Sequence, residues 1–371
     1  MESSSPGLTM KTHFPPNTEM IFRELTCSIG GTPLLAIQCR FRGHLRTIYV
    51  KSESQNLTGS IKDRVALHVL WTAYQRGMLK PGYAIAEGTG GNTGLAFAAV
   101  GRALGHPVTV FLSDKEPEER KTLVQRFGGT VAAIGSGDCE GLEGLRGAEE
   151  MAEETGAVFL PHRSFGSVSV EAHERSTGPE LWYQLKARGS KPDAFVAGVG
   201  TGGTVMGVGR FLGKMDSAIR VHPIEVMDPL TSATECGPEL HRIPGLSPNA
   251  LPGVMDSGGM DRVIQVSDGD AILMARALDA QLGLGLGISS GANFLGALLV
   301  QKELGPEAVV ATVFPDDNRR YPNIDLFGDE PVRDGFISPD VELSGYDSFR
   351  RSCRACDDVD ECQPWMAEAG P

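Results

Sequence analysis

Over residues 21–327, short apolar runs rich in β-branched residues alternate with longer stretches whose apolar positions recur at helical spacing. The short runs at 47–50, 84–87, 108–112, 194–197 and 309–314 predict strands. The longer stretches at 61–76, 92–104, 116–127, 139–154, 202–212, 268–282 and 291–303 predict helices. Strand followed by helix, repeated, implies parallel sheets covered on both faces. In such sheets ligands sit at the carboxyl ends of the strands, in the loops that lead into the helices. Residues 1–19 are polar and proline-containing and predict a flexible arm. From Asp329 the periodicity fades, and 329–371 reads as a polar, flexible tail. No internal repeat is found.

Composition narrows this picture. With 371 residues the chain is long for one core and fits two domains or one large α/β unit. Hydrophobic residues make up 41%, enough for a sizeable core. A net charge of −13 opposes binding to phosphate backbones or anionic lipid, so neither nucleic acid nor a membrane is expected as a partner. No apolar stretch approaches a membrane span, and the N-terminal residues lack the apolar segment of a secretory signal. Cys27, Cys39, Cys139 and Cys236 lie singly, as expected of reduced thiols in a cytoplasmic protein. Cys353, Cys356 and Cys362 crowd the tail without a following histidine, which suits reactive thiols better than a metal site.

The 47 glycines cluster in short loops, and four segments carry candidate chemistry. The first is Ser60-Ile61-Lys62-Asp63-Arg64. Ser60 can cap a helix, which places Lys62 in the first turn, near the positive end of the helix dipole. That position disfavours the ammonium and so favours the neutral amine that a nucleophilic lysine needs. A solvated surface lysine fits the same residues. The second segment is Glu87-Gly88-Thr89-Gly90-Gly91-Asn92-Thr93-Gly94, between a strand and a helix. Its backbone N–H groups can converge on a carboxylate or phosphate, or it is simply a tight turn. The third is Gly198-Val199-Gly200-Thr201-Gly202-Gly203-Thr204, which suits a phosphate but lacks the Gly-Lys-Ser/Thr ending of a P-loop. The fourth, Gly287-Ile288-Ser289-Ser290-Gly291, reads as a helix cap.

In this order the four segments resemble the cysteine synthase family. This is the β-replacement branch of the fold-type II pyridoxal-phosphate (PLP) enzymes, which includes cystathionine β-synthase. Ile29-Gly30-Gly31-Thr32-Pro33-Leu34 is similar to the family's opening motif. His173, Ser176-Thr177-Gly178-Pro179-Glu180 and His241-Arg242-Ile243-Pro244-Gly245 also resemble family segments. The resemblance runs to about Leu326 and covers roughly four fifths of the chain.

The resemblance implies a two-domain α/β fold of the tryptophan synthase β-like type, each domain a twisted, mostly parallel sheet flanked by helices. The catalytic core would span 20–328. A smaller mobile domain would take about 56–160, and a larger one about 21–55 plus 161–327. The cofactor implied is pyridoxal 5′-phosphate. By position, Lys62 would hold it as a Schiff base and move the α-proton. Asn92 would hydrogen-bond its 3′ oxygen, Gly200, Thr201, Gly202, Gly203 and Thr204 would cradle its phosphate, and Ser289 would pair with its ring nitrogen. Thr89, Gly90, Gly91, Asn92 and Thr93 would bind the substrate carboxylate. A neutral serine at the ring nitrogen makes a weaker electron sink than an aspartate, which suits α-proton removal coupled to loss of a β-leaving group.

Two departures stand out. Gly90 replaces the family's serine, and Arg163 stands where a glutamine is usual, followed by Gly166-Ser167-Val168-Ser169-Val170 in place of an Asn-Pro run. Arg163 could pair bidentately with a substrate carboxylate, or form a salt bridge at a domain edge. The activity implied is β-replacement on O-acetylserine or O-phosphoserine, a small-molecule amino-acid substrate, with sulfide or another nucleophile, through an α-aminoacrylate. The alternatives are β-elimination, as in a cysteine desulfhydrase, and a non-catalytic binding or regulatory protein on the same fold. A homodimer is the family expectation.

Overall fold

A computed structural model describes residues 16–89, 91–114, 116, 118–134, 140–159, 166–227, 242–247, 253, 255, 258–321 and 328–349. The described strands form two sheets. The larger contains β1 (Leu34–Phe41), β2 (His44–Ser52), β7 (Ala194–Gly198), β8 (Arg220–Met227), β9 (Ile264–Ser267), β10 (Val310–Phe314) and β11 (Val341–Phe349), in the order β11-β1-β2-β10-β7-β8-β9. From β2 to β9 all neighbours are parallel, whereas β1 pairs antiparallel with both β2 and β11. The smaller sheet is parallel throughout, in the order β5-β4-β3-β6, from β3 (Ile85–Glu87), β4 (Val108–Ser113), β5 (Thr130–Ile134) and β6 (Val158–Phe159). The expected α/β architecture with mostly parallel sheets is therefore present.

The central strands are apolar along their length because both faces are covered. All of β10, Val-Ala-Thr-Val-Phe, is buried, and so is β7 except for its last glycine. Helix α10 (Ile288–Leu304) packs against α9 (Asp268–Leu282) and against β7 and β10, and is buried over most of its length. A second core lies under α2 (Lys62–Gln75), α3 (Asn92–Ala103) and the smaller sheet. Helix α1 (Pro16–Thr26) closes this core by placing the fully buried Phe22 edge-on against Trp71 at 5.0 Å and Tyr74 at 5.7 Å. The other described helices are α4 (Glu118–Arg126), α5 (Glu140–Thr155), α6 (Gly166–Arg175), α7 (Thr177–Lys186) and α8 (Gly203–Met215).

Two expectations about the chain ends are corrected. The arm expected over 1–19 already contains helix from Pro16. The polar tail expected from Asp329 contains β11, which extends the larger sheet beyond β1. Most β11 side chains are exposed or half-buried, so its apolar content is low and it shows no hydrophobic period. It is held by a backbone ladder to β1. The β1–β2 hairpin was also missed. Its turn residues, Arg42 (φ 49°) and Gly43 (φ 81°), have the left-handed geometry of a type I′ turn, but Arg-Gly is a weaker signal than Asn-Gly.

Candidate active site

Lys62 opens α2 at the junction of the two cores. The Ser60 hydroxyl accepts the Lys62 N–H at 3.3 Å, but the residue at the cap position is Ile61, so Ser60 is not the helix cap the sequence suggested. The Ile61 N–H donates to the Pro315 carbonyl at 2.8 Å, and Ser60 forms an isolated bridge with Asp316. The first turn of α2 is thereby stapled to the chain leaving β10. Gly59 just before it has φ +89°, and a Cβ there would lie 2.8 Å from both the Arg320 guanidinium and the Asp317 carboxylate. Burial holds the Lys62 amine below the ordinary lysine range, with the Asp316 carboxylate pulling in the opposite direction.

The second segment leaves β3 and opens α3. Thr89 donates its hydroxyl to the buried Glu87 carboxylate at 2.6 Å. Gly91 directly precedes the helix, and Asn92 and Thr93 fill its first turn. Gly94 has to be glycine, since a Cβ there would stand 2.2 Å from the Thr89 carbonyl oxygen. The Asn92 amide is held at both ends. Its Nδ2 donates to Asp316 Oδ2 at 2.6 Å, and its Oδ1 accepts from Arg320 at 2.9 Å. Gly90 and Arg163 lie outside the described residues.

The third segment joins β7 to α8. Gly202, with φ +82°, turns the chain into the helix, and Gly203 and Thr204 begin it. Gly200 lies against the loop of Arg242 to Gly245, where a Cβ would meet the Gly245 carbonyl oxygen at 2.2 Å. That loop is tied down again by the Ser247 N–H, which donates to the Val199 carbonyl at 2.8 Å. Thr201 is exposed. The Thr204 hydroxyl lies 3.3 Å from His173 Nε2, and His173 Nδ1 meets the Thr177 hydroxyl at 3.0 Å. Burial pushes the His173 imidazole down to about 3, so it is neutral at ordinary pH.

The fourth segment places Ser289, buried, in the first turn of α10. The preceding Gly287 donates its N–H to the Asp316 carbonyl at 3.2 Å, and a Cβ there would lie 2.1 Å from Asp316 Oδ1. Asp316 therefore touches three of the four segments. The remaining one connects through Asn293 of α10, whose Oδ1 accepts the Gly198 N–H at 2.8 Å.

The sequence reading missed Asp316, Asp317, Arg320 and Tyr321. A signal existed: this polar run directly follows a mostly apolar strand in the parallel part of the larger sheet, where functional loops are expected. It also missed the buried ion network behind Lys62. Arg64 forms ion pairs with Glu53 at 2.6 Å and Glu180 at 2.7 Å, while fully buried Lys51 reaches Glu180 at 2.7 Å. Thr32 of the Gly-Gly-Thr-Pro motif donates to Glu53 at 2.7 Å, and Gly31 donates its N–H to Glu180 at 3.0 Å. The opening motif and the Ser-Thr-Gly-Pro-Glu segment thus meet at Arg64 of α2.

A family model for pyridoxal-phosphate dependent enzymes matches residues 25–316. The chain belongs to this family. Its cofactor is pyridoxal 5′-phosphate. Within the family, the chain is 37% identical over 305 residues to a cysteine synthase of Staphylococcus aureus, covering 82% of this chain and 96% of the relative. It is 34% identical over 322 residues to cysteine synthase A of Escherichia coli strain K12, covering 83% and 96%. Among solved structures, a hydrogen sulfide-producing enzyme of Fusobacterium nucleatum superposes with a TM-score of 0.82 at 40% identity, covering 90% of this chain and 99% of that one. An O-ureido-L-serine synthase gives a TM-score of 0.73 at 33% identity, covering 84% and 97%. This pyridoxal-phosphate enzyme is thus a member of the cysteine synthase group with the fold-type II architecture. No described helix is long and apolar enough to cross a membrane.

Proposed function

We propose that the protein catalyses β-replacement on an activated serine, O-acetylserine or O-phosphoserine, with sulfide or another small nucleophile. The observation that carries this reading is the Lys62 amine. It is held towards its neutral form by burial, and lies at the start of a helix stapled to Pro315 and Asp316, and Asp316 in turn contacts Asn92 and the Gly287 N–H that precedes Ser289. The surrounding donors suit the cofactor. Glycines and hydroxyls at the N-terminus of α8 suit a phosphate. The buried Ser289 suits the ring nitrogen, and Asn92 suits the 3′ oxygen. The loop into α3 and its first turn, with Thr89, Gly91 and Thr93, suit a carboxylate, and Gly90 and Arg163 stay assigned to the same task.

When bound, pyridoxal phosphate supplies the electron sink for the bond pair left when the α-proton is removed. Lys62 would tether that group and, as a free amine, would take the α-proton at Nζ. The β-leaving group then departs with its bonding electrons, and the incoming nucleophile adds at the same carbon. Lys62 returns the proton to the α-carbon. His173, neutral and wedged between Thr177 and Thr204, adds no positive charge beside the phosphate cradle.

Elimination is a second reading, supported by the similarity to a hydrogen sulfide-producing enzyme over 90% of the chain. The same residues would release sulfide from cysteine, and water would hydrolyse the three-carbon enamine left behind to pyruvate and ammonia. We further propose a homodimer acting in the cytoplasm, with residues 56–160 as the part that closes over the substrate and excludes water.

The test uses purified protein supplied with cofactor. Replacement predicts that O-acetylserine or O-phosphoserine changes the visible band and, with sulfide, yields cysteine. Consumption of cysteine with pyruvate release would instead establish elimination. Lys62→Ala should lose the covalently held band and all turnover. If it kept both, the role of Lys62 would be wrong.

A further inference from the structure

We infer that Asp316 is a positioning residue that, together with Arg320, fixes the orientation of the Asn92 amide for the cofactor's 3′ oxygen. This rests on the assignment of Lys62 and Asn92 proposed above and extends it to two residues outside the recognised motifs.

A free asparagine amide can rotate by half a turn and exchange its donor and acceptor ends. Here the neighbours remove that freedom. Arg320 can only donate, so the amide oxygen has to face it, and the contact is 2.9 Å. The Asp316 carboxylate accepts, so the amide nitrogen has to face it, and the contact is 2.6 Å. One Nδ2 hydrogen is used on Asp316, which leaves the other to point in a fixed direction. That remaining hydrogen suits an anionic oxygen.

Asp316 is itself held. The Tyr321 hydroxyl donates to the same Oδ2, and the Asp316 main chain is fixed by the Ser60 bridge and by the Gly287 N–H. The carboxylate is buried, and its Oδ1 has no hydrogen-bond partner among the described residues. Gly287 leaves the space for that oxygen, since a Cβ there would stand 2.1 Å from it. A buried, half-satisfied carboxylate is costly to the fold, so a structural role alone accounts poorly for it. Its position between Lys62, Asn92 and the first turn of α10 accounts for it by orientation of the site.

The experiment compares cofactor-loaded wild type, D316N, N92A and the double variant. The amide that D316N introduces presents either a donor nitrogen or a weaker acceptor, so the Asn92 amide keeps only the Arg320 contact to hold its orientation. Donation to the 3′ oxygen favours its ionised form, so D316N should move absorbance from the visible band towards the near-ultraviolet. N92A should do the same, and D316N should add nothing in the N92A background, because the two act through one contact. Turnover by D316N should fall about tenfold or more, with KM changing much less. If D316N does not fold, Tyr321→Phe removes one donor to Oδ2 and should give a smaller shift in the same direction.

A D316N spectrum identical to wild type, or a shift that persists unchanged in the N92A background, would overturn the inference alone. A wild-type protein with no visible band after loading would instead overturn the Lys62 assignment on which it rests.

Discussion

At the scale of single residues, the site depends on groups held in states they would not adopt in water. His173 is the clearest case. It is buried, and its imidazole is pushed down to about 3, against about 6.5 for a free histidine. Between those values the unfolded chain binds a proton that the folded chain refuses. Stability therefore rises with pH across this window. The neutral histidine costs nothing above the unfolded value and becomes a growing penalty as pH falls below it. Against His173→Asn, the wild type should lose stability on acidification from about pH 6.5 to pH 3 with a one-proton slope, about 1.4 kcal/mol per pH unit. Denaturant midpoints measured across that range for both proteins provide the check. Parallel curves would show that His173 is not held neutral.

At the scale of elements, α2 owes its place to charge as much as to apolar packing. Arg64, two residues beyond Lys62, is clamped between Glu53 and Glu180, and Lys51 shares Glu180. Burial alone would raise the Glu180 carboxyl, but the Arg64 and Lys51 charges outweigh it and hold it well below the usual range. Removing one member leaves others buried without compensation. Glu180→Ala should therefore cost about 3–5 kcal/mol, read as a lowered melting temperature, because both Arg64 and Lys51 lose a partner. Lys62 shares the first turn of α2 with Arg64, so cofactor retention should weaken in the same variant. A melting point and cofactor affinity equal to wild type would show that α2 is placed by its apolar face alone.

At the scale of the whole molecule, β11 closes one edge of the larger sheet. It covers β1 along Leu34–Phe41, and without it those backbone groups form an open edge. A chain ending at Asp340 should melt lower and aggregate more readily than one ending at Phe349, with cofactor binding affected only through lost stability. Light scattering and thermal melts of the two truncations provide the comparison. Equal behaviour would mean that the β1–β11 ladder adds nothing to the fold.

The sequence by itself determined the alternation of strands and helices, the parallel sheets, and the loops that leave strands for helices. These are local matters of hydrophobic period and glycine placement, legible over ten or fifteen residues. Lys62, Asn92, the glycine turn at 200–204 and Ser289 stood out as candidates for the same reason, since each lies at the start of a helix, as the motifs suggested. The tertiary structure alone decided which polar groups meet. Asp316 and Asn92 are 224 residues apart, and Arg64 and Glu180 are 116 apart. No local period marks such pairs. β11 was hidden because its stability lies in main-chain hydrogen bonds, which carry no side-chain signature. Contacts between distant segments depend on how the sheets and helices stack, and that stacking follows from the sum of all the packing rather than from any one stretch of the chain.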